Sequence, residues 1–416
     1  MLHRVVVTGL GALTPIGNTV QDYWTSLLGG KSGAGPITNF NPEKFKTQFA
    51  CELKGVNLQE HFDRKTLRKY DNYTAYALIA VKEALQDSEL NLNDLDKRLA
   101  GVIWGSGIGG IKTFAEQVED FVLNDKTPRF NPFFIPKMIV DIAAGIISIK
   151  YGFQGPNFAT VSACASSSHS IIDAFNYIRL GKANVFICGG SEASVHPAGV
   201  GGFNALKALS TDNDNPQKAS RPFDVNRNGF VLGEGAGALI LENYEHAKAR
   251  NAKIYAEVFG GGMSADAYHI TAPHPEGVGA INVMNNALSD AQINPEDIDY
   301  VNVHGTSTPL GDVSEIRAIK RVFGTAVYDL NISSTKSMTG HLLGAAGAIE
   351  SIASILAVKY DKIPPTINLD NLDPELDSKV NYTAHNFQER IVKYALCNTF
   401  GFGGHNASLI FGKCDL

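Results

Sequence analysis

The spacing of apolar positions along the chain predicts alternating strands and helices. Residues 72–87 show the spacing of an amphipathic helix, and a second helical pattern follows Cys164. Short apolar runs with β-branched residues predict buried strands at Arg4–Thr8, Gly101–Trp104, Val185–Cys188, Gly237–Leu241 and Tyr300–Val303. Runs that are apolar at every position are typical of sheets covered by helices on both faces. The pattern therefore predicts the α/β class.

One stretch of the chain is repeated about half the chain later. Residues 84–96 (ALQDSELNLNDLD) resemble residues 287–299 (ALSDAQINPEDID), and each copy is typical of a helix end, a polar loop and a following strand. A second echo pairs Cys164 and its helix with Ser333–Lys336, His341 and the helix from Ala345 to Lys359. Because internal repeats reflect repeated structural units, we predict two similar α/β halves, residues 1–250 and 251–416, whose equivalent loops face each other.

Composition narrows the function classes. The formal net charge of −6 argues against general nucleic-acid binding, which requires a basic surface. No apolar run approaches the roughly 18 residues that a membrane-spanning helix needs, and the first residues lack the layout of a signal peptide. We therefore expect a cytoplasmic protein that binds neither nucleic acid nor a membrane. The five cysteines are scattered without CxxC spacing, which indicates neither a disulfide framework nor a zinc site.

The stretch from Ala159 to His169 contains the strongest candidate nucleophile. Small and β-branched residues lead into Cys164, and the helical pattern then begins, so the thiol is expected at a strand-to-helix turn. Unpaired N–H groups and the helix macrodipole would lower the pKa of a thiol at that position. The alternative is a buried structural cysteine, and this stretch alone does not decide between the two.

Two further motifs contain histidines at the ends of predicted strands. His304 opens the motif HGTST directly after a buried strand, and His341 closes the motif KSMTGH, which also contains Lys336. A histidine at the end of a strand is, taken alone, more often a hydrogen-bonded core residue. The reason to treat both as functional is therefore their occurrence together with Cys164.

Glycine-rich segments offer two further interpretations. Residues 105–110 fit the GxGxxG pattern of a dinucleotide site, but no mononucleotide-binding unit begins cleanly there. Residues 220–237, which link the two halves, contain glycines that serve either as turn residues or to let the backbone approach a site closely, and we favour the second. Residues 397–404 (CNTFGFGG) combine flexible backbone with two aromatic side chains.

Taken together, these motifs resemble those of the β-ketoacyl-acyl-carrier-protein synthases, and among them the synthase II branch of elongating condensing enzymes. The four matching motifs occur in the family's order and approximate spacing, and the similarity runs from Val5 to Phe411. Synthase III enzymes use a Cys-His-Asn set, whereas the third position here is His341. The resemblance implies a thiolase-like fold of duplicated halves in a five-layer α/β/α/β/α sandwich, a homodimer, and acyltransferase activity. One departure is His405, where many members carry Thr, and it leaves the exact subfamily open.

The resemblance also implies a decarboxylative Claisen condensation with a role for each matching residue. Cys164 would hold the acyl chain, with the backbone N–H groups of Cys164 and Phe400 as the oxyanion hole. His304 and His341 would donate to the thioester oxygen of malonyl-carrier protein. Lys336 would shape the electrostatics of the histidines, and Glu350 would support it. No metal and no permanently bound cofactor is expected, because acyl carrier protein supplies the phosphopantetheine.

The resemblance also assigns residues to the substrate pocket. Thr306 and Thr308 would bind the pantetheine amides, and Phe400 would also gate the acyl pocket. The remaining pocket candidates, for which ordinary core packing is equally plausible, are Ile108, Phe203 and Phe402. Whether a monovalent cation lies near Asn302, Glu350 and Asn398 stays open.

A run of basic residues predicts the docking surface for acyl carrier protein. Arg64, Lys65, Arg68 and Lys69 share a helix predicted within residues 63–70, and Arg129 and Lys207 would extend the patch. A charge run is usually a solvated helix face. The resemblance favours docking, because relatives bind the acidic helix of the carrier at this position, where complementary charge speeds encounter.

Several alternatives stay open at this point. A polyketide-type ketosynthase would share the Cys-His-His set. A degradative thiolase would carry a second cysteine where this chain has Phe400 and Gly401. A non-enzymatic chain-length partner subunit would lack the nucleophile, and a nucleotide-binding module would rest on residues 105–110 alone.

Overall fold

The computed structural model describes residues 2–415, which form strands and helices in alternation. The strands are β1 Val5–Leu13, β2 Gly35–Pro36, β3 Phe49–Ala50, β4 Ala100–Gly105, β5 Asn157–Thr160, β6 Val185–Glu192, β7 Gly235–Asn243, β8 Ala256–Ala265, β9 Tyr300–Asn302, β10 Asn331–Ser333, β11 Lys362–Ile363, β12 Gln388–Glu389, β13 Tyr394–Gly401 and β14 His405–Gly412. The α-helices are α1 Val20–Leu28, α2 Leu58–His61, α3 Arg64–Leu67, α4 Asn72–Ser88, α5 Ile111–Leu123, α6 Phe134–Met138, α7 Ile142–Tyr151, α8 Ser166–Arg179, α9 Pro197–Ala205, α10 Pro216–Ala219, α11 Tyr244–Ala249, α12 Val278–Ala291, α13 Pro309–Phe323, α14 Lys336–Thr339 and α15 Ala346–Tyr360. Short 3₁₀ turns lie at Lys97–Leu99, Ala163–Ala165, Pro295–Asp297, Gly324–Tyr328 and Leu343–Ala345.

Ten strands form one mixed sheet in the order β10-β9-β13-β14-β8-β1-β7-β6-β4-β5. It contains two groups of five strands with the same connectivity. Within each group, counted along the chain, the second strand pairs in parallel with the third and fourth, whereas the fifth pairs antiparallel with the fourth and first. The groups join where β1 and β8 pair antiparallel, with Val5–Val7 opposite Ala256–Val258. The repeated sequence therefore corresponds to a repeated topology. The two β layers are the two five-strand groups, which join into one continuous sheet.

Three apolar cores separate the layers. The largest surrounds α8 and α15, which contact each other between the two strand groups. A second core lies under α4 and α7 on the first strand group, and a third lies under α12 and α13 on the second. This order of helix, strand, helix, strand and helix confirms the predicted five-layer α/β fold. Residues 343–360 are long and apolar enough to cross a membrane, but 89% of that segment is buried in the central layer.

The repeated segments occupy equivalent places in the two halves. Helix α4 ends at a left-handed cap, Glu89 with φ of 50°, and α12 ends at Gln292 with φ of 55°. A polar loop and a buried strand, β4 or β9, follow each cap. The predicted helix over 72–87 is confirmed and continues to Ser88.

The second predicted echo is displaced by a few residues. Ala163 and Leu343 both have a left-handed backbone, with φ of 49° and 48°, and each opens a 3₁₀ turn that leads into a central helix. The position equivalent to Cys164 is therefore Gly344, rather than Lys336 or His341. A Cβ at Gly347 would lie 2.0 Å from Ser168 Oγ, so the two central helices begin in direct contact. This contact brings the segment before α15 against the turn that contains Cys164.

Candidate active site

Cys164, His304 and His341 meet near the N-terminal ends of the two central helices. His341 Nε2 lies 3.0 Å from Cys164 Sγ. The two imidazole rings are 5.3 Å apart, nearly perpendicular, and the sulfur and one nitrogen of each ring lie within 4.8 Å of one another. A cavity of about 540 Å³ opens onto all three side chains. The structure thus brings together three side chains that are far apart in the sequence.

The turn at Cys164 is held by short hydrogen bonds. The backbone N–H of Ser162 donates to Ser166 Oγ at 2.9 Å, and the same hydroxyl donates to the carbonyl of Ala163 at 2.7 Å. These bonds support the left-handed backbone of Ala163, which a residue with a Cβ adopts at a cost of order 1–3 kcal/mol. The sulfur is consequently fixed between the end of β5 and the start of α8.

Burial raises the pKa of the Cys164 thiol to about 12. The charge of Lys336 and the backbone N–H of Phe402 act in the opposite direction but do not offset burial. The lowered pKa expected from the helix N-terminus is therefore wrong, because desolvation outweighs the helix end. A neutral thiol needs a base within reach, and His341 Nε2 occupies that position.

Both histidines are neutral at physiological pH. Burial lowers the pKa of His304 and His341 well below the ordinary value, and the nearby Lys336 charge lowers both further. A neutral imidazole has one N–H donor and one acceptor nitrogen. Each ring can therefore either take a proton from a thiol or donate to an oxygen, depending on its tautomer.

His304 is positioned through hydrogen bonds of its backbone. The N–H groups of His304 and Gly305 both donate to the carboxylate of Glu315 in α13, each at 2.8 Å. Burial raises the pKa of Glu315 to about 7, although these two bonds act against the rise. The arrangement connects the end of β9 to a helix on the outer layer.

The segment that links the two halves positions His341. The N–H of His341 donates to the carbonyl of Val231 at 2.7 Å, and the N–H of Gly233 donates back to His341 at 2.9 Å. A Cβ at Gly233 would lie 2.9 Å from the carbonyl oxygen of Thr339, so the glycine permits this close approach. Phe230, just before, packs its ring edge-on against His341 with 5.3 Å between ring centres.

Lys336 and Glu350 form a buried ion pair beside the histidines. Their charged atoms are 2.5 Å apart, and both side chains are almost fully buried. Burial raises the pKa of Glu350 to about 7, against the lowering effect of Lys336. Of the other residues named for a cation site, Asn302 Oδ1 is buried without a hydrogen-bond partner among the described residues, whereas Asn398 Oδ1 accepts from Ser408 at 2.6 Å.

The substrate candidates line the cavity. The hydroxyls of Thr306 and Thr308 are 3.0 Å apart at its wall. The wall also includes the apolar candidates Ile108, Phe203, Phe400 and Phe402. The ring of Phe400 packs against His304 with 5.6 Å between ring centres. The backbone donor that reaches the Cys164 sulfur belongs to Phe402, whereas the sequence assigned the second donor to Phe400.

Glu192 is a site residue that the sequence analysis missed. Its buried carboxylate accepts from the N–H groups of Gly107 at 2.8 Å, Gly344 at 3.1 Å and Ile108 at 3.3 Å. It therefore connects the GxGxxG loop to the turn before α15. A carboxylate at these N–H groups repels phosphate, which argues against nucleotide binding there. The sequence feature that could have identified Glu192 is its position as a glutamate at the end of an otherwise apolar strand.

The basic run is exposed but only partly helical. Helix α3 covers Arg64–Leu67. The carboxylate of its N-cap residue, Asp63, accepts from the N–H of Thr66 at 2.7 Å, and Arg68 is the C-cap residue. The single helix expected within residues 63–70 is therefore one turn long, and a new helix begins at Asn72. All six basic candidates are exposed, namely Arg64, Lys65, Arg68, Lys69, Arg129 and Lys207. Lys207 also lines the cavity.

Comparison with known proteins places these features in context. Residues 2–247 match the family described as beta-ketoacyl synthase, N-terminal domain, and residues 255–370 match its C-terminal domain. The chain is 50% identical to 3-oxoacyl-[acyl-carrier-protein] synthase 2 of Synechocystis sp., over 99% of this chain and 98% of that protein. A β-ketoacyl synthase from Burkholderia phymatum superposes with a TM-score of 0.91 at 35% identity, covering 99% of this chain and 100% of that one. A type II polyketide ketosynthase solved with its acyl carrier protein and a hexaketide gives a TM-score of 0.88 at 33% identity over the full length of both chains.

Proposed function

Because the chain belongs to the β-ketoacyl synthase family, we propose that Cys164, His304 and His341 carry out its decarboxylative Claisen condensation. The enzyme is an acyltransferase that joins an acyl group to malonyl-acyl carrier protein, giving 3-oxoacyl-acyl carrier protein and elongating a fatty acid. The observation that carries the residue assignment is the 3.0 Å contact between Cys164 Sγ and His341 Nε2, with His304 alongside.

Acyl transfer to Cys164 is the first half of the reaction. Because the thiol has a pKa of about 12, His341 Nε2 accepts its proton as the sulfur attacks the acyl thioester. The acyl carbon leaves the pantetheine sulfur for Cys164, and the proton goes to the departing pantetheine thiol. The N–H groups of Cys164 and Phe402 stabilise the oxyanion, where one such donor is typically worth about 3 kcal/mol.

Decarboxylation and carbon–carbon bond formation are the second half. Neutral His304 and His341 donate N–H groups to the thioester oxygen of malonyl-carrier protein. This stabilises the enolate as carbon dioxide leaves. The enolate carbon then attacks the acyl group on Cys164, and the Cys164 sulfur leaves as a thiolate that takes up one proton from solvent. Low histidine pKa values suit this role, because a neutral ring can still switch between acceptor and donor.

The remaining site residues support these steps. Lys336, held by Glu350, keeps both histidines neutral through its charge. Thr306 and Thr308 bind the pantetheine arm, since their paired hydroxyls lie on the cavity wall. Ile108, Phe203 and Phe402 contact the acyl chain, and Phe400, whose ring packs against His304 in the cavity wall, gates the acyl pocket. The phosphopantetheine belongs to the substrate, so the proposal includes no permanently bound cofactor.

The partner is acyl carrier protein, and its docking surface is the exposed basic patch around α3. Four cations on this short stretch contrast with the net charge of −6 for the whole chain. Lys207 lines the cavity, so a carrier that binds both the basic patch and Lys207 would deliver its pantetheine arm to the site. We propose that the protein carries out this reaction in the cytoplasm.

A homodimer is supported by an exposed apolar surface on α5 and α6. Phe114 is 49% exposed, Val122 57% and Ile135 54%, and the rings of Phe130 and Phe134 stack at 5.5 Å. Strand β5, the edge of the ten-stranded sheet, lies in the same half. Exposed apolar patches of this kind mark protein interfaces. Within each subunit, residues 1–250 contribute the nucleophile and residues 251–416 the two histidines.

The experiment that tests this function is a condensation assay with defined carrier-bound substrates. Saturated acyl-carriers and malonyl-carrier should give one 3-oxoacyl-carrier and one carbon dioxide per turnover. A polyketide ketosynthase, the second candidate, would also accept the 3-oxoacyl-carrier as its next acyl donor. The 50% identity to a 3-oxoacyl synthase, against 33% to the polyketide enzyme, favours the first candidate. Carbon dioxide release without condensation product would contradict the proposal.

A further inference from the structure

A third histidine, His169, lies next to the turn that contains Cys164 and has no role in the proposed mechanism. His169 is on α8, one to two helical turns after Cys164, and its Nδ1 lies 2.6 Å from Ser162 Oγ. Ser162 immediately precedes the left-handed Ala163. The side chain of His169 therefore contacts the turn that fixes the Cys164 sulfur, without contacting the substrate cavity.

Helix α8, which contains His169, packs against β14, the hairpin strand that follows Phe402. Burial lowers the pKa of His169 to about 4, the nearby His405 lowers it further, and an interaction with the backbone of Asn406 raises it. An imidazole pKa is raised by donating to a carbonyl, so the nitrogen facing Asn406 bears the proton. Nδ1 is then the acceptor, and the Ser162 hydroxyl donates to it. Asn406 is the second residue of β14, directly after the loop that joins β13 to β14.

From these contacts we infer that His169 is a positioning residue that sets the spacing of the two oxyanion donors. The N–H groups of Cys164 and Phe402 come from segments more than 200 residues apart in the chain. His169 bridges those segments, from Ser162, two residues before Cys164, to Asn406, which pairs with Phe400 two residues before Phe402. The packing between them is tight, because a Cβ at Gly401 would lie 2.5 Å from the Ser162 carbonyl oxygen and 3.2 Å from the Cys164 nitrogen.

This inference rests on the proposed function, and it predicts a selective defect. Acyl transfer needs both oxyanion donors, whereas malonyl decarboxylation needs the donors of His304 and His341, which other elements position. Loss of the bridge should therefore slow acyl transfer and spare decarboxylation. Removing one oxyanion donor outright costs about 10²–10³ in rate, so misplacing one should cost roughly ten- to hundredfold.

The test compares Cys164 acylation, malonyl decarboxylation and thermal unfolding in a small set of variants. His169→Asn keeps a polar atom near the position of Nδ1, whereas His169→Gln places it near Nε2. Ser162→Ala removes only the hydroxyl, and His405→Thr changes the neighbouring exposed imidazole without touching the bridge. Acylation is measured as mass added to the protein by an acyl-carrier, and decarboxylation as carbon dioxide released from malonyl-carrier.

We expect Ser162→Ala and His169→Gln to slow acylation at least about tenfold, with decarboxylation within about twofold of the parent protein. His169→Asn, which loses the contact with Asn406, should also slow acylation, whereas His405→Thr should stay near the parent rate. Ser162→Ala with His169→Gln together should be no slower than the worse single variant. Unchanged acylation, or acylation, decarboxylation and unfolding temperature falling together, would overturn the inference. Failure of the unsubstituted protein to acylate Cys164 would instead overturn the proposed function.

Discussion

Replacing Lys336 with methionine should destabilise the protein by leaving the Glu350 carboxylate without its cation. The two charges are 2.5 Å apart and almost fully buried. Removing one member of such a pair typically costs about 3–5 kcal/mol, because the other charge stays desolvated. Lys336→Met combined with Glu350→Gln removes both charges, so it should recover most of the loss. Urea unfolding followed by circular dichroism measures both values.

The stability lost in Lys336→Met should depend on pH, and the pKa of Glu350 determines the direction of that dependence. Glu350 has a folded pKa of about 7, above its value of roughly 4.5 in an unfolded chain, and losing Lys336 raises the folded pKa further. A raised carboxyl pKa means that stability is fully present below the unfolded pKa and is lost as pH rises through the folded one. Lys336→Met should therefore be least destabilised at acidic pH and most destabilised above neutrality.

The same substitution should shift the pH profile of the chemistry. The Lys336 charge lowers the pKa of both His304 and His341 in addition to burial, so its removal raises both values. A histidine that protonates at higher pH loses its acceptor nitrogen sooner on acidification. The acid limb of Cys164 acylation, the step in which His341 Nε2 accepts the thiol proton, should then move to higher pH in the variant. An unmoved acid limb, or a Lys336→Met protein as stable as the double variant, would refute this reasoning.

Three further predictions test other parts of the account. His304→Ala and His341→Ala should each lower malonyl decarboxylation about 10²–10³-fold, and less than multiplicatively together because both donate to one oxygen; fully multiplicative losses would contradict the shared site. Arg68→Glu with Lys69→Glu should raise the KM for carrier-bound substrates but not for coenzyme A thioesters, with a smaller difference at high salt, whereas equal losses on both would assign these residues to the fold. Because the pKa of Cys164 is raised to about 12, its alkylation by iodoacetamide should keep rising from about pH 7 to about pH 10, and a plateau near neutrality would contradict the buried, neutral thiol.

Most of the fold could be predicted because apolar periodicity and internal repetition are local signals. Helix α4 and the strands β4 and β7 lie where their apolar patterns indicated, since burial on one or both faces determines those patterns. The ladder between β1 and β8 could not be predicted in this way. Backbone pairing between distant edges leaves no periodic trace in either strand.

The site was predictable as a set of residue types but not in its electrostatics. Motifs identify Cys164 and the histidines, yet the pKa of the thiol depends on how much water the surrounding layers exclude. Its environment is set by α15 and the β13–β14 hairpin, which lie far along the chain. The donor from Phe402 depends on hairpin geometry within a run of glycines, where the sequence offers two aromatic residues at alternate positions.

The central claim is that Cys164 holds the acyl chain covalently, and mass spectrometry of the acylated protein tests it most directly. The protein is incubated with an acyl-carrier in the absence of malonyl-carrier, then measured intact and after peptide mapping. The account predicts one added acyl group, located on the peptide that contains Cys164 and absent from the Cys164→Ala variant. An acyl group on another residue, or a Cys164→Ala protein labelled at the rate of the parent protein, would contradict it.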